Sequence, residues 1–261
     1  MTKPTHVKGR TLRMKTALSY FELLCPEPIP VEGVGHAHSP TLREIARLGY
    51  GRYGQYLGLL ATELDSFLQM TNLTAVYNNL PENEKASVSL YDLLLVNQKT
   101  RELLESLFSF FFAESATFDQ AASAFVLRAG SSDEAAGTID RDNFDKVRTM
   151  LLQLNYVQTT APGTAKNARA QKILDKIQKA KERQTSVKHK DQDFSLGNMI
   201  SSLAAQHNSL HILNIWDLTV YQLYDQFFRQ NNKNQMDIHA LNYAVWGGEF
   251  DPAGWFKALN I

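Results

Sequence analysis

Residues 39–56 read SPTLREIARLGYGRYGQY and contain three glycines with the G-x-G-x-x-G spacing of a dinucleotide-binding loop. Such a loop needs a β-strand before the glycines and a helix after them, because the helix amides bind the pyrophosphate. Here Thr41 and Glu44 have capping-box spacing, and apolar residues follow at helical intervals: Leu42, Ile45 and Leu48. A helix therefore leads into the glycines, and the stretch predicts a mainly α fold rather than a nucleotide-binding one.

Helical periodicity recurs along most of the chain. Apolar residues at helical spacing predict a long helix over residues 87–112 and another helix after Asp142, which we expect to act as its cap. Residues 124–129 and 137–139, separated by a polar turn, are typical of a small β-hairpin. The predicted fold class is therefore mainly α: a multi-helix globular domain with a small β-hairpin and a basic helical linker.

The predicted linker covers residues 161–193, which hold nine Lys or Arg, four acidic residues and few apolar ones. We interpret this segment as a solvated helix that becomes a linker. An RNA-binding arm is the alternative, but the segment lacks interleaved aromatic residues. The predicted organisation is an N-terminal helical domain with the hairpin over 1–160, the basic linker over 161–193, and an aromatic-rich helical region over 194–261.

Composition narrows the classes of function. The 261 residues include 27 basic and 27 acidic ones, and this balance argues against a dedicated nucleic-acid binder or a polybasic membrane module. Cys25 is the single cysteine, so an intrachain disulfide is excluded. The most apolar stretch, residues 103–113, is interrupted by Glu105 and is too short to span a bilayer. We therefore expect no nucleic-acid or membrane partner.

The sequence shows no arrangement typical of catalysis. His36 and His38 would share one side of an extended segment, but two ligands fall short of a stable metal site. The acids at Asp140 and Asp142 resemble the start of a calcium loop whose glycine and closing glutamate are missing. Nucleophile-elbow, Walker and zinc-protease motifs are absent. We predict a non-catalytic protein without cofactor or metal; the glycine match alone supports a small-molecule enzyme.

Aromatic residues concentrate near the C-terminus. Thr219 and Gln222 have capping-box spacing, and the helix that follows carries aromatic residues whose inward face we expect to be core. Trp255 is also expected to face inward. Aromatic residues together with arginine suit a protein interface as well. The candidate interface residues are Trp216, Tyr221, Phe228 and Arg229.

Three segments resemble a known family. They are PIPVEGVGHAHSPTLREIARLGYGRYGQYLGLL at 28–60, IDRDNFDKVRTMLLQLNYV at 139–157 and IWDLTVYQLYDQFFRQ at 215–230. Together they resemble tail assembly chaperone-like proteins of tailed phages or prophages of Gram-positive bacteria. The resemblance consists of spaced short motifs across most of the chain, and it carries over no catalytic or ligand-binding residue.

The resemblance implies a role in building a phage tail. It predicts a protein that binds the tape measure protein, keeps this long helical protein soluble and recruits tail tube subunits. It also predicts self-association, action in the host cytoplasm and departure before the particle is mature. A structural tail or baseplate component of the particle is the alternative function, and a small-molecule enzyme is a third.

Overall fold

The computed structural model describes residues 17–85, 87–130, 134–157 and 195–256. These residues form eleven α-helices and two small antiparallel sheets, which confirms the mainly α fold class. The predicted basic linker at 161–193 lies outside the described residues.

The elements follow one another in this order: α1 (Tyr20–Leu24), β1 (Ile29–Val31), β2 (Gly35–Ala37), α2 (Leu42–Leu48), α3 (Tyr50–Ala61), α4 (Leu64–Met70), α5 (Thr74–Asn78), α6 (Glu82–Lys85), α7 (Leu90–Val96), α8 (Gln98–Phe111), β3 (Ser115–Asp119), β4 (Ala124–Arg128), β5 (Ala135–Ile139), α9 (Phe144–Leu154), α10 (Leu196–Gln206), a 3-10 helix (Ile215–Asp217), α11 (Val220–Trp246) and a second 3-10 helix (Pro252–Phe256).

The chain divides into two compact units. The first contains the described residues up to Ser39 together with Gly51–Gln153, and the second contains Pro40–Tyr50 together with the described residues from Leu154 onward. The short segment Pro40–Tyr50 thus groups with residues far along the chain.

Helix α8 carries the core of the first unit. The Phe108 ring lies 5.1 Å from the Phe125 ring of β4 and 6.5 Å from the Phe144 ring of α9. Such aromatic pairs add about 0.5–1.5 kcal/mol each beyond the burial of their surface. The buried residues of α8 share one face of the helix: Leu104, Leu107, Phe108 and Phe111. This face joins the second sheet and α9 in one core.

The sheet of this unit has three strands in the order β3-β4-β5, with antiparallel pairing throughout. The segments predicted as a hairpin form β4 and β5, whereas β3 was missed by the sequence analysis. The sequence of β3, SATFD, is short, and its three alternating residues Ser115, Thr117 and Asp119 are exposed. Its pairing with β4 is what makes it a strand.

Two other helix predictions differ from the structure. The long helix predicted over residues 87–112 is interrupted at Asn97, whose backbone is extended and whose side chain accepts a hydrogen bond from Lys99 N. Helix α9 begins at Phe144, and Asp140 rather than Asp142 accepts the N–H bonds of the preceding turn. Both differences arise where a side chain hydrogen-bonds to the backbone of its own turn.

The glycine triplet lies in a helical context, as predicted. Gly49 ends α2 with a φ of 93°, a value that favours glycine, and Gly51 and Gly54 lie within α3. The capping box of Thr41 and Glu44 is confirmed. Gly49 therefore has a backbone role at a helix junction, and a helix rather than the strand that a dinucleotide loop requires precedes the glycines.

The buried carboxylate of Glu114, directly before β3, binds the β1–β2 hairpin through His36. Glu114 is only 4% exposed, and its oxygens accept bonds from the His36 backbone N at 2.9 Å and from His36 Nδ1 at 2.7 Å. Burial acts to raise the pKa of Glu114, but the hydrogen bonds from His36 outweigh it and the pKa is lowered. The ionised form of Glu114 is therefore the one that the fold stabilises.

We predict that Glu114→Gln lowers the free energy of unfolding at neutral pH by about 1–3 kcal/mol, because it weakens hydrogen bonds to a buried charged group. A carboxyl whose pKa is lowered on folding contributes stability above its unfolded-state pKa. That contribution is lost as the pH falls through the folded-state pKa, so the difference between wild type and variant should shrink in acid. Urea unfolding at several pH values measures this difference.

The control is Glu32→Gln, because Glu32 is exposed in the turn of the same hairpin. This variant should unfold like the wild type at every pH. A difference between Glu114→Gln and wild type that stays constant down to strong acid would contradict the account.

Candidate protein-binding surface on the C-terminal helix

The start of α11 is fixed by backbone pairing within the second unit. Leu42 N donates to Leu218 O at 2.9 Å, and Val220 N donates to Pro40 O at 2.9 Å. The predicted capping box is confirmed: Thr219 Oγ1 accepts from Gln222 N, and the Gln222 side chain accepts from Thr219 N. These bonds set where the helix begins and in which direction it leaves.

A second anchor is an aromatic stack on Tyr156. Its ring lies 4.7 Å from that of Tyr224 in a stacked arrangement, 5.3 Å from Tyr221 and 5.8 Å from Phe228. Burial raises the pKa of the Tyr224 hydroxyl. Residues 221, 224 and 228 lie on one face of the helix, so the stack fixes the rotation of α11 about its axis.

A third anchor is a buried ion pair. Asp225 is 1% exposed, and Arg229 Nε lies 3.2 Å from its Oδ2. A buried carboxylate is costly unless it is paired, so Arg229 compensates the charge of Asp225. Arg229 therefore has a structural role in this unit.

The structure places the four candidate interface residues differently. Tyr221 is 1% exposed and belongs to the core, so it does not offer a surface to a partner. Phe228 is half-buried on Tyr156, and Trp216 is half-buried with its Nε1 donating to Ile212 O at 2.8 Å. Arg229 is partly exposed but pairs with Asp225. The face of α11 that we predicted as core is buried from Val220 to Asp225, whereas Tyr224, Phe227 and Phe228 are half-buried.

Beyond these anchors, α11 continues with apolar side chains in solvent. Ile238, Leu241 and Val245 are 60%, 65% and 59% exposed, and Trp246 is 84% exposed. Ile238, Leu241, Asn242 and Val245 have i, i+3, i+4, i+7 spacing and form one stripe, which we call the α11 seam. Exposed apolar residues that are contiguous, unlike single ones, mark binding surfaces.

The seam continues a face that is covered further upstream. There Asn234 Nδ2 donates to Gln206 Oε1 at 3.0 Å, and Phe227 lies beside Leu203 of α10 in a partly open cavity. Helix α10 ends at Gln206 and so does not continue alongside the seam. From Asn234 to Trp246 the helix extends about 18 Å further, at 1.5 Å per residue.

The residues after α11 turn back onto a different face. Gly247 and Gly248 have φ values of 72° and 115°, and Phe250 stacks on Tyr243 at 5.8 Å. Asn232 Nδ2 lies 3.4 Å from Trp255 O. Trp255 is nevertheless 55% exposed, so the prediction that it faces inward is wrong. The turn leaves the seam uncovered.

The sequence analysis missed the seam, although its signal was present. Apolar residues at helical spacing continue past residue 230, where the polar run QNNKNQ separates them from the aromatic stripe. Reading the periodicity across this run would have extended the helix to Trp246.

Among residues 17–85, 87–130, 134–157 and 195–256, no group of three His, Cys, Asp or Glu could hold a metal ion. His36 pairs with Glu114. Every helix in the described ranges is too short or too polar to cross a lipid bilayer.

Residues 188–260, which include α10 and α11, match the model of a family described as the YomV second domain. This family is phage-associated, and the match fits a phage protein. No curated protein and no solved structure matches the chain. The seam therefore lies within the part of the chain that is similar to a phage-associated domain.

We predict that Arg229→Ala lowers the free energy of unfolding by about 1–3 kcal/mol, because it removes the charge-assisted hydrogen bonds that the buried Asp225 carboxylate accepts from Arg229 Nε. Lys233→Ala is the matched control. Lys233 pairs with Asp237 on the same helix at the same i, i+4 spacing, but both side chains are more than 60% exposed. Such a pair contributes about 0.3–0.5 kcal/mol. Denaturant melts of both variants measure the difference, and equal effects would refute the structural role of Arg229.

Proposed function

We propose that this chain is a tail assembly chaperone of a tailed phage or prophage. It binds the tape measure protein in the host cytoplasm, self-associates and recruits tail tube subunits, without catalysis and without a cofactor. The observation that carries the proposal is the exposed α11 seam, Ile238, Leu241, Asn242 and Val245, on a helix whose other end is firmly anchored.

The geometry of the seam suits a helical partner. An amphipathic helix binds an apolar surface through residues spaced i, i+3, i+4 and i+7. The seam residues of α11 have this same spacing, so a partner helix can pack along them. The family resemblance implies a partner with such helices, because the tape measure protein is long and helical. A partner helix that lies along α11 would occupy the position that α10 holds upstream.

The surroundings of the seam favour an apolar contact over an electrostatic one. The four seam residues are uncharged, and the nearby acid Asp237 pairs with Lys233 at 2.6 Å. The formal net charge of the chain is zero. Binding at the seam should therefore depend little on ionic strength, unlike binding between oppositely charged surfaces.

Two similarities support a phage context for this surface. The family match covers the seam, and the phage-chaperone resemblance covers the anchored first turns of α11 at residues 215–230. A chaperone is favoured over a permanent tail or baseplate component because the seam is a limited surface, which suits a reversible contact.

The test is co-expression of the tagged chain with the tape measure protein of the same genome. We expect the two proteins to co-purify and Leu241→Asp to reduce the captured tape measure at least about tenfold, which corresponds to 1.4 kcal/mol. The control is Val76→Asp, because Val76 is likewise 60% exposed on a helix but lies in the first unit.

Capture that is equal for wild type and Leu241→Asp, with both proteins folded by circular dichroism, would refute the seam as the binding surface. Detection of the chain in purified mature particles would instead support the structural tail component.

A further inference from the structure

A cavity in the second unit lies between α11, the end of α10 and the second 3-10 helix. Its volume is about 410 Å³, and small-molecule sites typically measure about 300–1,000 Å³. Four of its lining residues recur at i, i+3, i+4 and i+7 on a face of α11 that differs from the seam: Gln226, Arg229, Gln230 and Lys233. His207 and Trp255 line it from the two neighbouring segments.

The Trp255 side of the cavity is held against α11 by two contacts. Asn232 Nδ2 lies 3.4 Å from Trp255 O, and Gly254 approaches so closely that a Cβ there would lie 2.8 Å from Met236 Sδ. The side chain of Trp255 is nevertheless 55% exposed, so its indole ring forms an apolar wall that a ligand can contact.

The lining is rich in hydrogen-bond donors. Each of its side chains carries an N–H group, two of them are cations, and none is acidic. His207 Nδ1 accepts from Ser209 N at 3.2 Å and from Leu210 N at 3.1 Å, so the neutral ring carries its proton on Nε2 and donates from there. Donors without a competing acid suit an anionic acceptor, since hydrogen bonds to an ionised group are about twice as strong as neutral ones.

The two cations differ in what they offer to a ligand. Arg229 is bound through Nε to the buried Asp225 carboxylate, whose charge it compensates. Lys233 pairs with Asp237 at 2.6 Å, but both side chains are more than 60% exposed, and such a pair stabilises little. Lys233 can therefore exchange Asp237 for an anion in the cavity. One exchangeable positive charge matches a carboxylate better than a phosphate monoester, which carries about −1.5 to −2 at neutral pH.

We propose that this cavity binds a carboxylate attached to an apolar or aromatic group. Lys233 Nζ and His207 Nε2 bind the carboxylate, and the attached group lies on the Trp255 indole. A protein chain presents this chemistry at a free C-terminus or at an acidic side chain beside an apolar one. The inference goes beyond the proposed function, because it concerns a different face of α11 from the seam.

The test is an NMR titration of the isotopically labelled chain at neutral pH with two acids, each beside its uncharged amide. N-acetyl-L-phenylalanine stands for a free C-terminus, and acetyl-Glu-Phe-amide stands for an acidic side chain. Their controls, N-acetyl-L-phenylalaninamide and acetyl-Gln-Phe-amide, have nearly the same shape without the charge. The signal followed is the indole N–H of Trp255, one of three tryptophans, which Trp255→Ala assigns by its loss.

We expect saturable shifts with at least one acid and much weaker binding of its amide, and the acid that binds more tightly identifies the source of the carboxylate. Equal binding of the acids and their amides, or no shift with any probe, would overturn the proposal. Phenyl phosphate that binds more tightly than both acids would refute the assignment of a carboxylate.

Two substitutions should move the affinity in opposite directions. Lys233→Ala should raise the dissociation constant of the tighter acid about tenfold, because it removes a charge-assisted hydrogen bond. Asp237→Asn should lower this constant about twofold, because Lys233 then has no competing carboxylate. If the Lys233–Asp237 pair were only structural, both variants would behave alike. Equal affinities of Lys233→Ala and wild type would also contradict the proposal.

The matched control for the aromatic wall is Trp246→Ala, because Trp246 is 84% exposed on the same helix but does not line the cavity. Trp255→Ala should weaken binding, as followed by the backbone amide signal of Lys233, whereas Trp246→Ala and Leu241→Asp should bind like the wild type. Loss of binding in either of these two variants would place the site outside the cavity. Because Leu241→Asp should lose the tape measure protein and keep the carboxylate, either proposal can fail while the other holds.

Discussion

The stack of Tyr221, Tyr224 and Phe228 on Tyr156 is the contact on which the proposed surface depends. It fixes the rotation of α11 over the first three turns, and the rotation of a rigid helix determines where all its later side chains point. With the stack in place, the covered face that begins at Val220 continues as the exposed seam at Ile238. A helix with another rotation would present its polar side instead.

Helix α11 thus has an anchored half, which packs within the second unit, and an exposed half, which carries the seam. The first turns of α11 are anchored by backbone bonds to residues 40 and 42, by the tyrosine stack and by the Asp225–Arg229 pair. Most helical stability in proteins comes from packing of an apolar face. The anchored half therefore supports the half whose apolar face is not packed, and this arrangement makes a rigid surface available to a partner.

Local signals in the sequence were sufficient for part of this structure. The capping boxes at Thr41 and Thr219 depend on residues three positions apart, and both were predicted correctly. The helical context of the glycine triplet followed from the same kind of pattern. The mainly α class could be predicted because the apolar periodicities are long and repeated.

Contacts between distant residues could not be predicted in this way. Strand β3 is short and gains its conformation from pairing with β4, and Tyr156 gave no sign that it would stack on a helix far along the chain. Tyr221 was assigned to a candidate interface because aromatic composition alone does not distinguish core from surface. Trp255 was expected inside, but the turn at Gly247 and Gly248 sets its position.

The most direct measurement of the central claim is hydrogen–deuterium exchange along α11, in the free protein and in its complex with the tape measure protein. The first turns of α11 should exchange slowly in both samples, because their contacts lie within the second unit. Residues 231–246 should exchange faster in the free protein and become protected in the complex, since local opening is easiest where buried contacts are few. Equal exchange of residues 231–246 in both samples would contradict the assignment of the seam as the partner-binding surface.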